Sequence, residues 1–88
     1  MTGLSRTPTI ADVDKLAALA EVRALIESGR ARELRLQARL SLSEVADAAD
    51  VGVSTVARWE AADRRPRGEP ALRYLAVLQR LEHMGGAA

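Results

Sequence analysis

Apolar residues recur at helical spacing along most of the chain, and the breaks between the runs are short. The first run covers residues 9–28. Thr9 is placed to cap it, Asp12 and Asp14 lie in its first turn where the helix dipole favours acids, and Gly29 ends it. Ile10, Val13, Leu16, Ala17 and Ala20 make one apolar stripe, and Leu19, Val22, Leu25 and Ile26 widen it nearly all round in the second half. A helix apolar on more than one face needs more than one surface to pack against. The second run, residues 30–40, turns Leu34, Ala38 and Leu36 inward. In the third, Ser41 and Glu44 have the spacing of a capping box, and Val45, Ala46 and Ala49 share a face. Asp50, Val51 and Gly52 interrupt it, with Gly52 an acceptable cap for the next helix. That helix, residues 52–61, turns Val56 and Trp59 inward and leaves Val53, Ser54, Ala57 and Arg58 on its outer face. The last run begins with Pro70 at its first turn. It packs through Leu72, Leu75, Ala76 and Leu78, with Tyr74, Val77 and Leu81 further round, and Gly85 and Gly86 close it.

This pattern predicts an all-α chain, a compact bundle of about five helices with an additional N-terminal helix. Residues 1–8 form a polar arm that frays, residues 9–29 the additional helix, residues 30–84 the main domain and residues 85–88 a tail. The third and fourth runs are two helices joined by a turn of about three or four residues, the arithmetic of a helix-turn-helix.

Composition narrows what such a chain can do. Its 88 residues make one domain, too small for a deep walled cleft. There is one tryptophan, one tyrosine and no phenylalanine, so the core is aliphatic and suits closely packed helices. The net charge of +1 is unevenly spread. Residues 1–29 carry three cations against four carboxylates, net −1, and residues 30–81 ten arginines against seven carboxylates, net +3. The basic excess therefore falls on the helix-turn-helix half, where phosphates would be met. With no cysteine, disulfides and thiolate metal sites are excluded. The single histidine, His83, sits near a helix end and builds no metal site. No glycine-rich phosphate loop or nucleophile–base pair is present, so an enzyme is not expected, nor a cofactor, a metal or a small-molecule substrate. Neither a signal peptide nor a membrane span is expected.

The stretch around Ser41, Ala46, Val51, Ser54-Thr55-Val56 and Arg58-Trp59-Glu60 resembles the helix-turn-helix of the lambda-type phage repressor and Cro (XRE-like) family. The wider pattern runs over residues 30–81. Asp50 stands where that family usually has glycine, and Leu42 where it often has a DNA-contacting glutamine. The resemblance implies that residues 52–61 are a recognition helix in the major groove, with Val53, Ser54 and Arg58 at base-reading positions. The chemistry suits that use: arginine grips guanine O6 and N7 bidentately, valine rests on a thymine methyl, and serine donates or accepts. Gly52 lets backbone N–H groups approach a phosphate at the positive end of the helix. Thr55 is either a phosphate contact or a helix-start residue. The resemblance also pairs Arg35 with Glu60, holding the guanidinium toward a phosphate, the alternative being a solvated arginine. It lays Arg64, Arg65 and Arg67 along the DNA backbone, and Arg39 is the nearest of the surface arginines before the turn. Arg6 in the arm either touches a minor groove or is simply solvated.

The implied function is a sequence-specific regulator bound to double-stranded operator DNA, a phage or prophage Cro-like protein or repressor working in the bacterial cytoplasm at the nucleoid. The helix over residues 9–28 either lies across the core as an extra element or pairs two copies as a homodimer. The rival reading is an antitoxin-type module, in which that helix holds a partner protein while the helix-turn-helix autoregulates.

Overall fold

The computed structural model describes residue 7 and residues 9–86. The arm expected to fray, Arg6 included and Thr7 excepted, and the last two residues of the tail lie outside the described residues. Five helices follow one another: α1 (Ile10–Glu27), α2 (Arg30–Gln37), α3 (Leu42–Ala49), α4 (Val53–Glu60) and α5 (Gly68–Gly86). No strand occurs among the described residues, so the fold is all-α, with the additional N-terminal helix counted among the five.

Local chemistry accounts for where the helices start. Thr9 caps α1 in a capping box with Asp12, and Ser41 caps α3 in another with Glu44. In the second box the Ser41 hydroxyl accepts from the Glu44 N–H at 3.0 Å while the Glu44 carboxylate accepts from the Ser41 N–H at 2.9 Å. Gly52 caps α4 with extended backbone and no side-chain bond. Pro70 falls within the first turn of α5, two residues later than the sequence pattern placed it; its missing N–H would have had no intrahelical acceptor there. At the other end α5 runs through Gly85 and Gly86 rather than stopping before them.

The helix ends are less orthodox. Gly29 closes α1 with φ 83°, the left-handed geometry glycine suits. Three further ends use the same geometry without glycine: Arg39 (φ 60°), Asp50 (φ 56°) and Ala62 (φ 58°). Each makes the paired backbone bonds of a Schellman motif. The Asp50 and Val51 N–H groups return to Asp47 and Ala46, and those of Ala62 and Asp63 return to Trp59 and Arg58.

α5 is the axis of the packing, lying against α1, α2 and α3, while α4 rests on α3. The core gathers Val22 and Ile26 from α1, Ala31 and Leu34 from α2, Val45, Ala46 and Ala49 from α3, and Val56 and Trp59 from α4. From α5 come Ala71, Tyr74, Leu75, Leu78 and Leu81. Tyr74 is at its centre, with its ring 4.9 Å from that of Trp59 and tilted by 36°. Burial pushes the Tyr74 phenol well above its usual value, reinforced by the Glu60 carboxylate. Two inward assignments fail. Leu36 is 46 % exposed and Ala76 faces solvent, because the helix phases that bury Leu34 in α2 and Tyr74, Leu75 and Leu78 in α5 turn these neighbours outward. In α1 only the second half packs: Ala18, Leu19 and Leu25 flank Val22 and Ile26, whereas Ile10, Val13 and Leu16 remain exposed.

Candidate nucleic-acid interface

α4 is held rigidly from behind. Val56 and Trp59 are buried, and at its C-terminal end Glu60 receives the Nε–Nη2 edge of the Arg35 guanidinium. Arg35 Nε donates to Glu60 Oε2 at 2.6 Å and Nη2 to Oε1 at 2.9 Å, a bidentate pair with side chains only 10 % and 6 % exposed. Arg35 Nη1 also donates to the Leu40 carbonyl at 2.9 Å, so one side chain ties α2, the α2–α3 connection and α4 together. Hydrogen bonding to Glu60 raises the guanidinium pKa further above its ordinary value. Arg35 is thus buried, with each of its three guanidinium nitrogens donating to Glu60 or Leu40.

On that exposed side lie Val53, at 45 % exposure, Ser54 and Arg58, all open to solvent, with Ala57 and Thr55 half-buried at the edges. The helix phase that buries Val56 and Trp59 leaves these residues outward. The α3–α4 turn that aims them is set by Asp50, whose left-handed backbone substitutes for a glycine; aspartate tolerates that region better than most residues.

A cleft of about 350 Å³ opens beside the N-terminus of α4. Gly52 and Thr55 form one wall, and Arg64, Arg67 and Arg73 contribute cations, with Asp50 the one acid. The loop between α4 and α5 therefore divides its arginines. Arg67 lines this cleft, Arg65 lines a second one that it shares with Arg23 and Glu27 of α1, and Arg64 borders both. Arg39 is exposed in the α2–α3 connection, apart from both.

Two positioning residues escaped the sequence reading. Arg73 of α5 donates to the Ala49 carbonyl at 2.9 Å and the Asp50 carbonyl at 3.2 Å, fastening the turn that precedes α4. Arg23 of α1 donates from Nε to the Pro66 carbonyl at 3.0 Å, fastening the basic loop. All three bonds span more than twenty residues and end on backbone carbonyls, which leave no mark in a residue pattern. Only the exclusion of these arginines from both the apolar stripes and the acid-paired positions could have hinted at them.

Among the described residues no cluster of His, Cys, Asp or Glu is arranged to hold a metal ion, and no helix is long and apolar enough to cross a membrane. The family model for helix-turn-helix domains matches residues 32–82, more than half of the chain, running from α2 through most of α5. No curated protein and no solved structure matches the chain.

Proposed function

The chain belongs to the XRE-like helix-turn-helix family of DNA-binding regulators, and from that premise we propose that it is a sequence-specific regulator of the phage Cro-like or repressor kind, occupying operator DNA in a bacterial nucleoid. The observation that carries this reading is the division of α4: an inner face immobilised by Val56, Trp59 and the Arg35–Glu60 pair, and an outer face of Val53, Ser54 and Arg58 open to solvent. With α4 in the major groove, Arg58 reads guanine bidentately, Val53 meets a thymine methyl and Ser54 bonds a base edge or phosphate. The Gly52 N-terminus, Thr55, Arg64 and Arg67 take backbone phosphates, with Arg39 and Arg65 at the margins. Arg35 acts through Glu60, fixing the pitch of α4. Two copies joined through α1 would place two such helices on half-sites about one helical turn apart, on a near-palindromic operator.

Selection of bound sequences from a random duplex pool tests this. An enriched motif is expected, and Arg58→Ala should relax preference at one position by roughly 1–3 kcal/mol. Absence of any enrichment, or an Arg58→Ala protein with unchanged affinity and preference, would refute the assignment of α4 as the reading element.

A further inference from the structure

Two apolar surfaces of the described chain are left uncovered within it, and they carry opposite charge. One is the outward side of α1. Opposite Val22 and Ile26, the residues Ile10, Val13, Leu16, Ala17, Ala20 and Ala24 all face solvent, with Ile10 81 % and Leu16 67 % exposed. A surface helix ordinarily puts polar residues on this side. The N-terminal half of α1 adds Asp12 and Asp14 against Lys15 and is thus net acidic.

The second is a groove of about 480 Å³ formed by Leu40, Ala48, Ala76, Val77 and Leu81 where α3 and α5 meet. Its charged lining is Arg73 and Arg80, with no acid. The groove has room for several aliphatic side chains, yet Val13 and Leu16 of the same chain stay exposed and so do not fill it.

We infer that two copies of this chain assemble by exchange, the N-terminal half of α1 from each protomer seating in the α3–α5 groove of the other. Ile10, Val13 and Ala17 have the i, i+3, i+7 spacing of a helix lying in a groove. The acidic helix end meets the basic rim. A contact between unlike surfaces, repeated across a two-fold axis, closes on itself as a dimer and leaves no open end. Arg73 lines both this groove and the cleft beside α4, so the seated helix lies next to the residue that fastens the α3–α4 turn. This rests on the dimeric part of the reading above and names the surface opposite α1; it does not depend on DNA.

Sedimentation equilibrium of the full chain without DNA tests it, with thermal melts confirming that each variant is folded. The wild type should be a dimer. Val13→Glu in the helix and Ala76→Glu in the groove, both at exposed positions, should each weaken association by about 30-fold or more, and Ala48→Glu serves as a second groove variant. Mixing the Val13→Glu and Ala76→Glu chains should restore part of the association, because the mixed pair keeps one intact helix and one intact groove facing each other. A dimer lost by Val13→Glu, kept by both groove variants and not restored by mixing would mean that α1 pairs with α1, overturning exchange while leaving dimeric DNA reading intact. A monomeric wild type at every concentration would overturn both exchange and the dimer, with a different protein then covering α1. Duplex selection, read separately, would still decide whether α4 reads DNA.

Discussion

Removing the Arg35 guanidinium would strand the Glu60 carboxylate, which is 6 % exposed and has its oxygens turned toward Arg35. Arg35→Ala should therefore cost about 3–5 kcal/mol in chemical denaturation, the range for an uncompensated buried charge. Replacing both partners by leucine should cost far less, because the desolvation penalty disappears along with the pair. DNA affinity should fall in the single variant even under conditions where it remains folded, since the tether between α2 and α4 is gone. The Tyr74 hydroxyl is the counterexample at this scale. It is buried beside the same pair without a hydrogen-bond partner, so its contribution comes from the ring. The inward phase of Trp59 was legible from spacing, while the central place of Tyr74 was not. Where several helices converge, the residue at the crossing is decided by their angles, and those are absent from any one helix's pattern.

The helices show which signals are local. Capping boxes are read within four residues: Ser41 and Glu44 act as their spacing indicates, and Thr9, expected only as a cap, forms a box with Asp12 as well. Hydrogen bonding from the Ser41 backbone, then from its side chain, holds the Glu44 carboxyl below its usual range. A depressed folded-state pKa means that this cap stabilises α3 above the unfolded carboxylate pKa and is lost as pH falls through the folded value. Denaturation midpoints should consequently drop through the acidic range, and Glu44→Gln, which keeps the acceptor but not the charge, should show a shallower drop. The helix ends give a second expectation. Ala62 has neither the short polar side chain that lets Asp50 tolerate this region nor the freedom of glycine, yet sits at φ 58°. Ala62→Gly should gain about 0.5–1 kcal/mol, the relief of left-handed strain less the added chain entropy, and a urea titration would measure it. A residue pattern marks such ends only when glycine or asparagine stands there, so those at Arg39 and Ala62 were invisible in advance.

For the molecule as a whole, charge placement matters more than the total of +1. Arg67 sits at the cleft beside α4, whereas Arg65 lines the cleft shared with Arg23 and Glu27 of α1, and Arg64 borders both. Plotting log affinity against log salt should thus lose about one unit of slope in Arg67→Ala, uniformly across duplex sequences, and less in Arg65→Ala. That the loop was basic could be read from its residues; which arginine reaches which side depends on Pro66 being held by Arg23, a bond between segments 43 residues apart. The same holds for α1. Its sequence offers two apolar stripes of similar strength, and the choice of Val22 and Ile26 for the core is made by packing on α2 and α5, which no pattern within α1 records.

The packing of Trp59 against Tyr74 gives the protein an optical reporter. The chain has one tryptophan, on the inner face of α4 and 3 % exposed. Emission from that single buried indole should be blue-shifted in the native state and move to longer wavelength when α4 leaves the core. Light absorbed by Tyr74, 4.9 Å away between ring centres, should reappear as tryptophan emission while the two helices remain packed. Since the indole faces away from the outer residues of α4, DNA binding should leave its colour nearly unchanged, and a shift would report loosening of the helix itself.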